Sequence, residues 1–144
     1  MTEQEPAVEE LSAAACWALL RTTPVGRIAM HGANDEIEIF PINFIVDHGS
    51  IVFKTATGTK LSLADQQRSA AFEADGFDFY EGTAWSVVLR GTPKLIKHHQ
   101  DMIEAFDIEI QTWQVGHKPT YVRLEADVIT GRQFTVNPAT GTTA

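Results

Sequence analysis

The segment of the sequence with the most specific chemical potential is "FKTATGTKLS", residues 53–62. Three threonines alternate through it, at positions 55, 57 and 59, and Lys60 follows the last of them. The pattern is typical of a strand that turns at Gly58 and enters a helix, and the unpaired N–H groups at a helix start favour a phosphate. A lysine in the first turn opposes the helix dipole unless an anion joins it. Spacing alone leaves two interpretations open, an anion site or a helix start that tolerates lysine.

Other catalytic and metal-binding patterns are absent from the sequence. No G-x-G-x-x-G, P-loop or G-x-S-x-G motif occurs. His98 and His99 are adjacent and point apart on either a helix or a strand, so we expect no metal site. Carboxylate pairs such as Glu36 with Glu38, or Asp75 with Asp78, are interpreted as solvated surface rather than as an acid and base couple. We therefore predict no acid, base or nucleophile.

Composition and charge limit the partners. The chain has 144 residues and a net charge of -8, and its 11 Lys and Arg residues are scattered. No basic stripe could follow a nucleic acid, so we expect any anionic ligand to be small. The single cysteine, Cys16, excludes an internal disulfide and is predicted to be buried. The start "MTEQEPAVEE" lacks the apolar run of a signal peptide, and no stretch is apolar enough for a membrane span. We expect a cytoplasmic protein.

The first half of the chain predicts one helix and three strands. Ser12 is a plausible N-cap for a helix over 13–21, because Pro24 prevents much continuation. Strands are expected at 25–31, 36–47 and 50–57, with His48 in the turn between the last two. In 36–47 the apolar positions change phase at Phe40 and Pro41. That change predicts a bulge, or a strand buried on both faces.

The second half continues the strand pattern. Strands are expected at 69–77, 84–97 and 120–131, and short helices at 59–67 and 98–106. Short strands without a helix between each pair indicate a mainly β fold, an antiparallel barrel or sandwich with two or three short helices. We predict one domain over 11–136, a flexible arm at 1–10 and a flexible tail at 137–144.

Three segments together resemble a known family. "FPINFIVDHGSIVFKTATGTKL", then "FEADGF" and "WSVVLRG", are similar in this order to the pyridoxamine 5'-phosphate oxidase-like family, in particular its small actinobacterial-type members. The resemblance covers roughly residues 11–134. It implies a six-stranded split β-barrel that forms a homodimer, with flavin mononucleotide (FMN) at each end of the subunit interface.

The resemblance also implies which residues bind the cofactor. The stretch from Phe40 to Phe44 would lie along the isoalloxazine ring, and Lys54 and Thr55 would approach the ring and the ribityl chain. Thr59 and Lys60 would hold the phosphate. The full set of cofactor-binding residues implied is Pro41, Ile42, Asn43, Phe53, Lys54, Thr55, Thr59, Lys60, Ser86 and Trp113. Trp113 can also be interpreted as a core or interface aromatic.

The sequence departs from the vitamin-producing oxidases of that family. They usually carry an Arg-Lys pair where this chain has Lys60 and Leu61, and a glutamine at the place of Ser86. The arginine and histidine set that grips pyridoxamine phosphate has no counterpart here. We therefore predict an FMN-binding oxidoreductase that transfers hydride or electrons between a nicotinamide-type donor and an unknown small molecule. The alternatives are a deazaflavin-dependent reductase, a protein that stores or senses flavin or haem without catalysis, and a structural dimer with an empty groove.

Overall fold

A computed structural model describes residues 8–55, 58–96 and 120–136. These ranges form ten strands, two α-helices and a short 3-10 turn at Ala33–Asp35. The helices are α1 (Ala13–Leu20) and α2 (Thr59–Asp65). The strands are β1 (Val8–Glu10), β2 (Val25–His31), β3 (Ile37–Asn43), β4 (Ile45–Val46), β5 (Ser50–Thr55), β6 (Ala70–Asp78), β7 (Thr83–Gly91), β8 (Pro93–Ile96), β9 (Thr120–Glu125) and β10 (Val128–Thr135).

The strands make two antiparallel sheets. The large sheet has the order β1-β10-β7-β6-β2-β3, and the small sheet has the order β4-β5-β9-β8. The main core contains fully buried side chains from both sheets, among them Phe72 and Leu89 from the large sheet and Ile51 and Phe53 from the small one. The predicted fold class, a mainly β split barrel with antiparallel strands, is confirmed. The predicted count of six strands is approximate, because the described residues form ten strands, of which three, β1, β4 and β8, have four residues or fewer.

β3 differs from its prediction. It pairs with β2 without interruption, with Phe40 opposite Ile28 and Pro41 opposite Arg27, so the bulge predicted at Phe40 and Pro41 is wrong. The strand is not buried on both faces either, since Ile39 is 66% exposed. The predicted strand over 36–47 breaks instead at Phe44. There the chain leaves the large sheet and enters β4 in the small one.

Two other predicted strands also divide between the sheets. The stretch 84–97 gives β7 in the large sheet and β8 in the small sheet, and 120–131 gives β9 in the small sheet and the start of β10 in the large one. At the β7 to β8 crossing, a Cβ on Gly91 would collide with the backbone oxygen of Glu125. Such close backbone approach requires glycine. The last three residues of the predicted arm form β1, which pairs with β10.

The helices and turns follow local signals. Ser12 caps α1 by accepting a hydrogen bond from the Ala15 N–H at 3.1 Å, and Cys16 is fully buried, as predicted. The turn between β4 and β5 has positive φ at His48 (47°) and Gly49 (71°), which confirms the predicted turn.

The helix predicted at 98–106 lies outside the described residues, as does the tail at 137–144. Neither α1 nor α2 is long and apolar enough to cross a bilayer.

Candidate functional site

A split separates the two sheets between β3 and β5. β3 is the last strand of the large sheet, and in the described part of the chain no strand pairs with its second side. β5 approaches β3, but its ladder on that side is with β4 and involves only Ile51 and Val52. The segment 53–55 therefore continues beyond β4 and borders the split. An edge strand presents unpaired backbone groups, which a polar ligand can use.

Lys60 and Phe40 meet across this split. The Lys60 Nζ lies 5.9 Å from the centroid of the Phe40 ring, and both side chains are half-buried. This distance is within the range of a cation–π contact. The structure thus brings the residue predicted to hold a phosphate beside the strand predicted to contact a flavin ring.

The start of α2 has the geometry expected for an anion site. The Ser62 N–H donates to the Gly58 oxygen at 3.0 Å as the first helical hydrogen bond, so the N–H groups of residues 59–61 have no acceptor within the helix. Gly58 has a φ of 145°, and a Cβ built on it would meet nothing within 4 Å. Open space therefore lies beside the N-terminus of α2, next to the positive charge of Lys60. Thr57 lies outside the described residues.

The other predicted residues of β3 and β5 differ in what they can offer. Ile42 and Phe53 are 4% and 0% exposed, so their side chains belong to the core and only their backbone could meet a ligand. Pro41 and Asn43 point the other way and are exposed. Thr55 is buried and Lys54 is half-buried. The cofactor-binding role of each of these residues stays a prediction.

Ser86 does not lie at the split of its own chain. It is on β7, and β6 and β2 separate β7 from β3 in the large sheet. At about 4.8 Å per strand spacing, Ser86 is roughly 14 Å from β3. A site that contains both Ser86 and Asn43 would therefore have to extend across β6 and β2. Trp113 lies outside the described residues.

The outer face of the large sheet is a feature that the sequence analysis missed. Apolar side chains stand exposed on it: Val25 (43%), Ile37 (59%), Ile39 (66%), Phe77 (45%) and Val128 (52%). The signal was in the sequence, because β3 has apolar residues at both parities, but these were interpreted as a bulge or as burial on both faces and not as an exposed apolar surface. We call this surface the outer face.

A charged group lies on the same outer face. Arg27 Nη1 contacts Glu73 Oε2 at 3.3 Å and Asp75 Oδ1 at 3.4 Å. Partial burial, together with the repulsion of Asp75, raises the pKa of Glu73. In the described ranges, no group of three or more His, Cys, Asp or Glu side chains could hold a metal ion.

Comparison with known proteins gives the relationships of the chain. The family model described as pyridoxamine 5'-phosphate oxidase matches residues 12–133. The crystal structure of a proposed pyridoxamine 5'-phosphate oxidase from Corynebacterium glutamicum is 32% identical, with a TM-score of 0.72, and the match covers 94% of this chain and 99% of that one. An FAD binding protein from Mycobacterium smegmatis is 36% identical, with a TM-score of 0.67, over 88% of this chain and 97% of that one.

An uncharacterised protein of Mycobacterium tuberculosis is 32% identical over 94 residues, which are 65% of this chain and 84% of that protein. The match to the family model extends over most of the sequence, and the similar structures share the two-sheet fold described above. The chain belongs to the pyridoxamine 5'-phosphate oxidase-like family.

Proposed function

We propose that this protein binds a flavin nucleotide in the split between β3 and β5 and uses it to transfer hydride or electrons. The donor would be of the nicotinamide type and the acceptor a small molecule. The observation that carries the proposal is the approach of Lys60 to Phe40, because it joins a cation at a helix start to the edge strand of the barrel. The Mycobacterium smegmatis relative, at 36% identity, is an FAD binding protein, which supports a flavin as the ligand.

The phosphate end of the ligand would lie at the start of α2. The N–H groups of residues 59–61, the Thr59 hydroxyl and the Lys60 ammonium can all donate to phosphate oxygens. Charge-assisted hydrogen bonds contribute roughly 1.5–3 kcal/mol each, so a few of them suffice to anchor a nucleotide in a chain whose overall charge repels it. The net charge of -8 explains why such a site must be local.

The ring end would lie along β3. A strand rises about 3.3 Å per residue, so four residues beyond Phe40 carry the chain about 13 Å along the split, to Phe44. That length is suited to a ribityl chain with a fused ring. Along Pro41, Ile42 and Asn43, the backbone groups of alternate residues point to the unpaired side of β3 and could then bond the polar edge of the ring.

The bound flavin would supply the hydride chemistry, and the residues of this chain would position it. Lys60 and Thr59 would fix one end, and the β3 edge would orient the other. The described residues place no catalytic acid or base at the split. Proton exchange with solvent is sufficient for this role.

FMN and FAD share the riboflavin 5'-phosphate that this site would recognise. The resemblance in sequence favours FMN, whereas the Mycobacterium smegmatis relative binds FAD. Both ligands would place their first phosphate at Lys60. The identity of the ligand is therefore an outcome of the test.

We also propose that two copies of the chain form a homodimer through the outer face. Isolated apolar residues on a protein surface are ordinary, but Ile37 and Ile39 are both exposed and lie next to each other on the outer side of the edge strand β3. Such a pairing could bring Ser86 of one copy near β3 of the other, which one chain alone does not do.

The test is the visible absorption spectrum of the purified full-length protein, followed by mass spectrometry of the small molecule that denaturation releases. We expect a flavin spectrum, as isolated or after addition of FMN or FAD, and bleaching of that spectrum by a reduced nicotinamide. A colourless protein that takes up neither flavin would refute the proposal. If only a reduced deazaflavin coenzyme bleached the spectrum, the donor would be that coenzyme and not a nicotinamide. A flavin that no donor reduces would indicate storage rather than catalysis.

A further inference from the structure

A cavity of about 320 Å³ opens where α1 ends and where the chain passes from β3 to β4. The most buried residues of its lining are Leu20, which is fully buried, and Phe44, which is 5% exposed. Ile45 and Val46 form an apolar wall. The volume is at the lower end of the range for small-molecule sites.

The position of Phe44 in this cavity is fixed by two contacts. Its N–H donates to the Pro24 oxygen at 3.1 Å, which ties the end of β3 to the start of β2. Its ring packs edge-on against Phe72, with centroids 4.8 Å apart. The apolar floor of the cavity is therefore preformed, and a ligand would not have to order it.

Part of the lining of the cavity is polar. Arg21, Thr22 and Thr23 contribute to it. Arg21 is exposed, and its guanidinium makes no ion pair with any residue that the structure describes, although the chain has 19 acidic residues. The Thr22 hydroxyl donates to the Leu19 oxygen at 2.6 Å, so only its acceptor sites remain. The Thr23 hydroxyl has no hydrogen bond within those same ranges.

We propose that this cavity binds a small carboxylate with an apolar body. The apolar part would contact Phe44 and Ile45, and the carboxylate would accept hydrogen bonds from Arg21 and Thr23. An arginine fork matches a carboxylate, and a mixed apolar and cationic lining discriminates against both neutral and fully polar ligands.

Phe44 directly follows Asn43, so the cavity begins where β3, the strand proposed to orient the flavin ring, ends. A carboxylate bound there would be a substrate of the flavin. That assignment as a substrate pocket rests on the proposed function, whereas binding of the carboxylate does not.

The experiment is a titration of the isotope-labelled full-length protein with benzoate, and separately with its neutral analogue benzamide, followed by NMR. Both the flavin-free protein and the protein after flavin addition are measured. We expect benzoate to shift the backbone signals of residues 21–24 and 44–46, and benzamide to bind roughly tenfold more weakly or worse. Arg21→Gln should weaken benzoate binding by a similar factor, and Arg21→Lys should restore part of it. The control Lys94→Gln removes a positive charge from an exposed position on β8 and should leave the affinity unchanged.

Equal affinity for benzoate and benzamide, shifts confined to other segments, or unchanged binding in Arg21→Gln would overturn the proposal. If Arg21→Gln lowered only the stability, Arg21 would act as a cation at the end of α1, complementing the helix dipole. Benzoate binding by a protein that takes up no flavin would support the carboxylate site and refute the proposed flavin site. Flavin uptake without benzoate binding would support the flavin site and refute the carboxylate site.

Discussion

Arg123 Nη2 contacts Asp47 Oδ2 at 2.9 Å and so joins β9 to the turn between β4 and β5. Arg123 Nη1 also donates to Ser50 Oγ at 2.5 Å, and the Ser50 hydroxyl donates to the Asp47 backbone oxygen. Ser50 is fully buried. The turn that begins the small sheet is therefore held by one arginine from a strand more than 70 residues away in the sequence.

Asp47→Asn should destabilise the protein at neutral pH. Burial alone would raise the pKa of Asp47, but hydrogen bonds from Arg123 and His48 outweigh it and lower this pKa below its ordinary value. A lowered pKa in the folded state gives stability that is present above the unfolded value, about 3.9, and is lost as the pH falls through the folded value. We expect the free energy of unfolding, measured by urea denaturation at pH 7, to fall by about 1–2 kcal/mol. This range already allows for the partial exposure of the Asp47 and Arg123 side chains.

The same measurement at lower pH provides the check. The difference between wild type and Asp47→Asn should begin to shrink below about pH 4, where the unfolded chain takes up a proton, and should disappear below the lowered pKa of the folded state, where both proteins lack the carboxylate charge. Asp65→Asn is the control, since Asp65 is exposed and makes no ion pair with any described residue. A difference that stays constant from pH 7 to strongly acidic pH would show that the ion pair does not stabilise the turn.

Local signals in the sequence were sufficient for the short elements. Ser12 predicted the start of α1, and the "DHG" turn predicted the reversal at His48, because each depends on residues within one turn of chain. The sheet crossings were not predicted. In the sequence, β7 and β8 form one continuous apolar segment. Only their pairing partners show that they belong to different sheets, because β7 pairs with β10 and β6, whereas β8 pairs with β9.

The sequence predicted only the local part of the candidate site. Gly58 and Lys60 form a local pattern, and their place at a helix start is confirmed. The separation of Ser86 from β3 was not predictable, because it follows from the order β7-β6-β2-β3, which is a non-local property of the sheet. Position in the sequence predicts which residues share a strand, and strand order decides which residues share a site.

Lys60→Ala should weaken flavin binding by tenfold or more, because it removes a charged donor from the proposed phosphate site. Lys60→Arg keeps the charge and should retain most of the affinity. Titration of flavin fluorescence measures both variants, with Lys94→Ala as a matched loss of one positive charge on β8. If Lys60→Ala and Lys94→Ala had the same affinity as wild type, the phosphate would lie elsewhere.

Ile39→Glu should separate the proposed homodimer. Ile39 is 66% exposed on the outer face, so a glutamate there leaves the fold of one chain intact but places two buried charges in the interface. Light scattering on a sizing column should give the mass of two chains for wild type and of one chain for the variant. Lys94→Glu is the control, because it also introduces a glutamate, but at an exposed position on β8 in the small sheet. A wild-type monomer, or a dimer unaffected by Ile39→Glu, would contradict this assignment of the outer face.

Gly91→Ala should be the most destabilising of the glycine substitutions at turns and crossings. At Gly91 the chain leaves the large sheet for β8, and a Cβ there would meet the Glu125 backbone oxygen, with the Glu125 carbonyl carbon at 3.1 Å and Leu124 Cδ1 at 3.3 Å. A backbone cannot rotate away as a flexible side chain can, so the crossing of the two sheets must open. Overpacking of this kind costs roughly 2–4 kcal/mol, equivalent to a fall of about 5–15 °C in Tm for a chain of this size.

Gly49→Asn is the matched control, because Gly49 has a φ of 71°, which asparagine tolerates, and open space around it. Calorimetry should show a large fall for Gly91→Ala and a small one for Gly49→Asn; equal Tm values would mean that the two sheets do not approach each other at this crossing.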